Sequence, residues 1–210
     1  LVQAGAGLSS GYTDSDYQAS DAIVLTEAEA LYQQAELIVK VKQPLPEDLR
    51  YLRQDHMVFC YCHLAADPEL VQALCLSGAC IIPFESVSAA DGSLPLLAPM
   101  SQVAGRIAVM RGASLLFRNR GGRGVLLGGI DGSEAGRVLV LGAGVAGRHA
   151  VAVAAALGAH IDVLDLNKNK LLRLQQKYTS INTHLSTAEQ VAALAVDADL
   201  VIGAVLLAGR

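Results

Sequence analysis

The chain has 210 residues, a net charge of −4 from 16 Lys+Arg against 20 Asp+Glu, and 52% hydrophobic residues. That balance excludes a disordered chain, which combines low hydrophobicity with high net charge. It also excludes an electrostatic nucleic-acid binder, which needs Lys and Arg clustered on one face.

In chain order, the first half alternates short apolar runs with helical patterns. Strands are predicted at 21–25, 36–41, 57–62 and 79–84, each rich in Val, Ile or Cys and bounded by turn or polar residues. Helices are predicted between them, at 14–19, 27–35, 46–52 and 68–77, the last opened by an Asp67 cap and Pro68 in its first turn. Such alternation predicts a parallel sheet with helices on both faces. The four cysteines, Cys60, Cys62, Cys75 and Cys80, form no CxxC pair and show no metal-ligand spacing with histidine. They read as reduced thiols of a cytoplasmic, metal-free protein.

Two residues of this half stand out. Lys42 follows the strand at 36–41 and His63 follows the strand at 57–62, so a parallel sheet brings both to its carboxyl edge, where ligands bind. A histidine there can exchange a proton near neutral pH, and a lysine can pair with a carboxylate. The alternatives are a helix-capping or solvated histidine and an ordinary surface lysine. His56, His149, His160 and His184 read as structural or exposed.

Residues 90–99 read as a loop. A long helix is predicted over 101–116, followed by the glycine-rich stretch 121–129, whose nearby Arg111, Arg118, Arg120 and Arg123 read as part of a solvated linker. The expected division lies there, with a substrate domain at 1–99 and a dinucleotide-binding domain at 100–210. The second domain reads as strand 137–141, helix 145–157, strand 160–164, helices 168–178 and 187–195, and strand 199–204. This is the first half of a doubly wound nucleotide fold. The apolar runs, such as 150–159, are too short to span a bilayer, and no signal peptide is legible, so a soluble protein is expected. The sequence opens without Met and stops directly after a strand pattern, from which a fragment of a longer protein is expected.

Gly142-Ala143-Gly144-Val145-Ala146-Gly147 fits G-x-G-x-x-G between a predicted strand and helix. The first glycine allows the tight turn, the second admits the pyrophosphate, and the third lets helix and strand pack closely. Asp165 ends the next strand, where an acid bonds the ribose hydroxyls and repels a 2′-phosphate. The pattern predicts NAD rather than NADP, set against an Asp165 that merely caps the following helix.

Five segments together carry a resemblance. Lys40-Val41-Lys42-Gln43-Pro44, His63-Leu64-Ala65-Ala66, Leu96-Leu97-Ala98-Pro99-Met100-Ser101, the run from Gly121 through Arg123 to Gly129, and the glycine loop with Asp165 resemble the alanine dehydrogenase/pyridine nucleotide transhydrogenase α-subunit family. The resemblance is nearer to the alanine enzymes and covers essentially the whole chain. It implies an oxidoreductase of amino-acid catabolism that interconverts L-alanine and pyruvate plus ammonia with NAD. It implies an α/β fold of two parallel-sheet domains, the second a Rossmann-type domain incomplete in this chain, in a homohexamer. By motif, Lys42 binds substrate and His63 is the acid/base. Ser101, Val145, Ala146, Asp165, Lys170, Ser186, Val205 and Leu206 contact the cofactor beside Gly142, Gly144 and Gly147. Gln43 stands where the family usually has Glu. The family's substrate-binding arginine falls before Leu1 and its catalytic aspartate after Arg210, so the 210 residues alone are expected to show little turnover. Alternatives are a transhydrogenase α-like NAD(H)-binding subunit and a non-catalytic NAD-binding protein.

Overall fold

A computed structural model describes residues 1–205, which form two compact units, one spanning Leu1–Leu96 and the other beginning at Leu97. Leu206, expected to contact cofactor, lies outside the described residues. None of the described helices is long and apolar enough to cross a membrane.

The first unit opens with β1 (Val2–Gln3), α1 (Asp14–Gln18) and β2 (Val24–Leu25), with β1 and β2 paired in parallel. The α1 helix starts at a capping box, in which the Thr13 hydroxyl accepts from the Asp16 N–H and the Asp16 carboxylate accepts from the Thr13 N–H. Then come α2 (Ala28–Gln34), β3 (Leu37–Val39), α3 (Pro46–Leu49), β4 (Met57–Cys60), α4 (Pro68–Ser77) and β5 (Cys80–Pro83). The last three strands form a parallel sheet in the order β3-β4-β5. Regular pairing is shorter than the predicted runs. Two more backbone bonds, Lys40 N to Phe59 O and Tyr61 N to Val41 O, nevertheless carry the β3–β4 register past the strand ends. The Asp67 carboxylate caps α4 by accepting from the Leu70 N–H at 2.9 Å, and Gly78 closes the helix at φ 72°.

The sheet buries Ile38, Val58 and Cys60 against Tyr32, Leu52, Leu70 and Leu74. Burial of one such aliphatic side chain is worth roughly 1.5–3 kcal/mol. His56 belongs to this core, with Nδ1 accepting from the Arg53 N–H and Nε2 at 2.9 Å from the Tyr32 carbonyl oxygen.

The second unit starts with α5 (Leu97–Leu115), then β6 (Arg137–Leu141), α6 (Val145–Ala156), β7 (His160–Asp165), α7 (Lys168–Lys177), β8 (Ile181–Leu185), α8 (Ala188–Asp197) and β9 (Leu200–Gly203). All four strands are parallel, in the order β8-β7-β6-β9. Successive strands step outward from β6 and the chain then crosses to its other side, the doubly wound pattern with a switch point between β6 and β9. Two sequence expectations need correction here. β8 lies where only loop was expected between two helices. Its Ile-Asn-Thr-His-Leu has three polar residues between two apolar ends, so it carries neither the apolar run nor the alternation by which strands are read. The long helix also begins four residues sooner, at Leu97, because Pro99 falls in its first turn, where a missing N–H costs nothing. Part of the arginine linker is anchored rather than free: Arg123 pairs with Asp199 at 3.1 Å.

Candidate functional site

The second unit builds its site from β6 outward. Val138, Leu139 and Val140 are buried in mid-sheet, and the strand ends in Gly142, whose φ of 100° disfavours any side chain. A Cβ on Gly142 would also lie 2.6 Å from the Ala204 oxygen beyond β9, so the turn sits in the switch-point crevice. A Cβ on Gly147 would come within 1.7 Å of the Gly142 oxygen, and this close approach sets α6 down over its own turn. On the other side of α6, a Cβ on Gly105 of α5 would meet the Ala146 oxygen at 2.0 Å. Gly144, by contrast, faces nothing within 4 Å. The open space lies at the start of α6, where unpaired N–H groups and the helix dipole favour an anion. The residues present therefore fit a dinucleotide pyrophosphate.

Asp165 ends β7 beside this turn. One carboxylate oxygen accepts from the Ala143 N–H at 2.6 Å and the other from the Asn167 N–H at 2.7 Å. The capping of α7 falls instead to Asn167, whose side chain accepts from the Asn169 and Lys170 N–H groups. A carboxylate has about four acceptor sites, so two remain for hydroxyl donors. Val205 lies against Gly142, and the Ser186 N–H donates to the Asp165 carbonyl at 3.1 Å. Ser101 precedes Gly105 by one helical turn, on the face of α5 that meets α6. The structure thus gathers Gly142, Gly144, Val145, Ala146, Gly147, Asp165, Ser186 and Val205 at one edge of the sheet.

Lys170 belongs to a feature that sequence reasoning missed. A cleft of about 730 Å³ leads away from Ala143, Gly144 and Val145 along α6 and α7. Its wall carries Arg106, Arg148, Lys170, Arg173 and Lys177, none of them ion-paired among the described residues. Burial, with Arg106, Arg148 and Lys177 adding to it, holds the His149 imidazole below its usual pKa. On a chain of net charge −4, this concentration of positive charge raises the local attraction for phosphates. The signal was present as five separate cations on three helices, which only packing brings together.

In the first unit, the carboxyl edge of β3-β4-β5 carries Lys42, His63 and Glu85. Lys40 is ion-paired to the buried carboxylate of Asp48, which also accepts from the Leu45 N–H at 2.8 Å. Lys42 is exposed and in no ion pair among the described residues, so the two neighbouring lysines have different environments. Gln43 has a buried side-chain oxygen without a hydrogen-bond partner among the described residues.

His63 is exposed and in the left-handed region at φ 50°, ψ 38°, which costs a non-glycine residue roughly 1–2 kcal/mol. Its side chain makes no capping bond to the short helical turn at Leu64–Ala66, which removes the capping alternative. The imidazole lies nearly parallel to the Tyr61 ring, with 6.5 Å between centroids and 17° between planes. Glu85, which sequence reasoning passed over, accepts the His63 N–H at 2.6 Å. It sits just past β5, the same strand-end position that Lys42 and His63 hold on β3 and β4. Cys60 and Cys62 lie beneath this edge with sulfurs 3.4 Å apart, and burial pushes the Cys62 thiol up to about 12. Neither thiol is a nucleophile near neutral pH.

A parallel sheet with a glycine turn at its switch point, an acid ending the next strand and helices on both faces defines a Rossmann-type dinucleotide-binding fold, here following a second parallel-sheet unit. Residues 1–104 match the family domain described as "Alanine dehydrogenase/PNT, N-terminal domain", and residues 108–210 match its "C-terminal domain". The chain belongs to the alanine dehydrogenase/PNT family. It is 44% identical to an alanine dehydrogenase of Mycolicibacterium smegmatis over all 210 residues, which cover 57% of that protein. It superposes on a solved L-alanine dehydrogenase with a TM-score of 0.88 and 40% identity, over 99% of this chain and 58% of that one. A transhydrogenase from Sinorhizobium meliloti gives 0.80 and 26% over 100% of this chain and 61% of that one. The chain thus spans a little over half the length of these relatives.

Proposed function

We propose that this chain supplies the substrate edge and the cofactor loop of an NAD-dependent L-alanine dehydrogenase, interconverting L-alanine, NAD⁺ and water with pyruvate, ammonia, NADH and a proton. The observation that carries the reading is the pairing, in one chain of this family, of an Asp165 carboxylate beside an open helix start with a histidine and a lysine, unpaired among the described residues, on a parallel-sheet edge.

Gly144 and the first N–H groups of α6 would hold the pyrophosphate, and Asp165 the ribose hydroxyls. The nicotinamide, when bound, accepts the hydride from the substrate Cα. Lys42 offers a point charge to the substrate carboxylate or carbonyl oxygen. His63 serves the proton steps: it takes a proton from the water that adds to the substrate imine and returns one as the carbinolamine nitrogen leaves as ammonia. A homohexamer in the cytoplasm accords with the family resemblance.

A transhydrogenase-type NAD(H)-binding subunit is the second reading, favoured by the superposition at a TM-score of 0.80. One assay separates the two. The intact protein with L-alanine and NAD⁺ should produce NADH at an ordinary enzymic rate, on the order of 1–10³ s⁻¹. An intact protein that binds NADH yet forms none from L-alanine and NAD⁺ would reverse the assignment in favour of an NAD(H)-binding subunit.

A further inference from the structure

We infer that Glu85 is a positioning residue for His63: its carboxylate holds the main-chain turn that fixes where the imidazole points. The inference rests on His63 carrying the proton in the reaction proposed above.

Three observations support it. First, Glu85 lies in the helical turn Phe84–Ser86, immediately past β5 and beside the end of β4. There its carboxylate receives two consecutive main-chain donors: the Cys62 N–H at 3.1 and 3.2 Å and the His63 N–H at 2.6 Å. A charged acceptor makes these bonds shorter and stronger than neutral ones. Second, the clamped residue is one of only two non-glycine residues with positive φ among those described, the other being Asp21. A left-handed residue persists only where its surroundings over-determine it, and such strain collects at functional positions. Third, the clamp belongs to a braced aromatic set. Phe84, the residue before Glu85, stands edge-on to Phe59 at 4.3 Å and to Tyr61 at 4.9 Å, and the Tyr61 ring is nearly parallel to that of His63. The Tyr61 hydroxyl donates to the Leu96 carbonyl oxygen, which fixes the ring next to the imidazole.

Glu85 forms no ion pair among the described residues, so its half-buried charge is met by N–H groups rather than by a cation. A residue needed only to fill this space would not require a carboxylate. Glu85→Gln keeps the shape but removes the charge, and one of its two terminal atoms becomes a donor facing donors. The turn should then relax and the imidazole lose its direction, while the cofactor loop, carried by the other unit, is untouched.

The test compares Glu85→Gln, Glu85→Asp and His63→Ala in the intact protein, each measured for alanine kinetics, solvent deuterium isotope effect and NADH affinity. Misplacement by about 1 Å can cost on the order of 10²-fold. Glu85→Gln should lower kcat by roughly 10- to 100-fold and enlarge the isotope effect, as proton transfer comes to limit the rate. It should leave the alanine KM and the NADH Kd within about threefold of the parent, a split that general loss of structure would not produce. If Glu85→Gln does not fold, Glu85→Asp, which keeps the charge one methylene short, should show the same split at smaller amplitude. Folded Glu85 variants with parental kcat and isotope effect, alongside an inactive His63→Ala, would overturn the positioning role alone. An active His63→Ala would overturn the assignment of His63, and the positioning role with it.

Discussion

His63→Ala in the intact protein should reduce turnover by roughly 10²- to 10⁴-fold, the usual worth of a positioned general acid–base group, while the NADH Kd stays near its parental value. The structure gives three reasons to expect so large an effect. His63 is exposed at the carboxyl end of β4, free of any capping bond that would give it a structural task. Its backbone is held in a costly left-handed turn by the Glu85 carboxylate. Two neighbouring titratable side chains are poor substitutes: the Cys62 thiol is buried and driven up to about 12, and Glu85 is engaged by two N–H donors. Steady-state kinetics with alanine, paired with a fluorescence titration of NADH, measure both quantities. A variant with parental turnover would make His63 a bystander and leave a non-catalytic NAD-binding role as the better reading.

Gly147→Ala should weaken NADH binding by on the order of 10²-fold and lower stability by about 1–3 kcal/mol. The added methyl group has no room: its carbon would sit 1.7 Å from the Gly142 carbonyl oxygen, a main-chain atom held by its own turn. The alternative to that clash is a displacement of α6 away from β6, and the phosphate-facing N–H groups move with the helix. Gly142 lies at φ 100° and its N–H donates to the Leu164 oxygen at 2.7 Å, so the turn cannot yield easily. The helix would shift instead, and Gly105 limits that shift by its contact with the Ala146 oxygen. Calorimetry for NADH and a denaturant melt read the two effects separately. Unchanged affinity in a folded Gly147→Ala protein would mean that the pyrophosphate does not rest on this helix start.

How much of this was legible in the sequence depended on whether the determinant was local. The glycine loop was readable because each of its requirements, a turn, an approach and a packing contact, falls within six consecutive residues preceded by a buried apolar strand. Asp165 was readable because a strand of fixed rise returns its end to the same edge. The β3-β4-β5 edge was readable to the level of which residues end each strand, and this singled out Lys42 and His63. β8 was not, because an edge strand with Asn182 and His184 on one side lacks the apolar run that marks a central one. Nor was the split between Lys40 and Lys42, decided by a carboxylate eight residues away on α3. The left-handed turn at His63 and its clamp by Glu85 depend on β5 lying beside β4, and the cationic cleft on three helices meeting. Both belong to packing rather than to any sequence window.

In the proposed complex Asp165 faces the sugar of a dinucleotide whose phosphates lie at the start of α6. Titrating the intact protein with NADH and then NADPH under the same conditions tests this directly. NADH should bind saturably and NADPH more weakly by at least about 10²-fold, since a 2′-phosphate against that carboxylate costs several kcal/mol. Equal affinities, or no binding of either nucleotide, would contradict it.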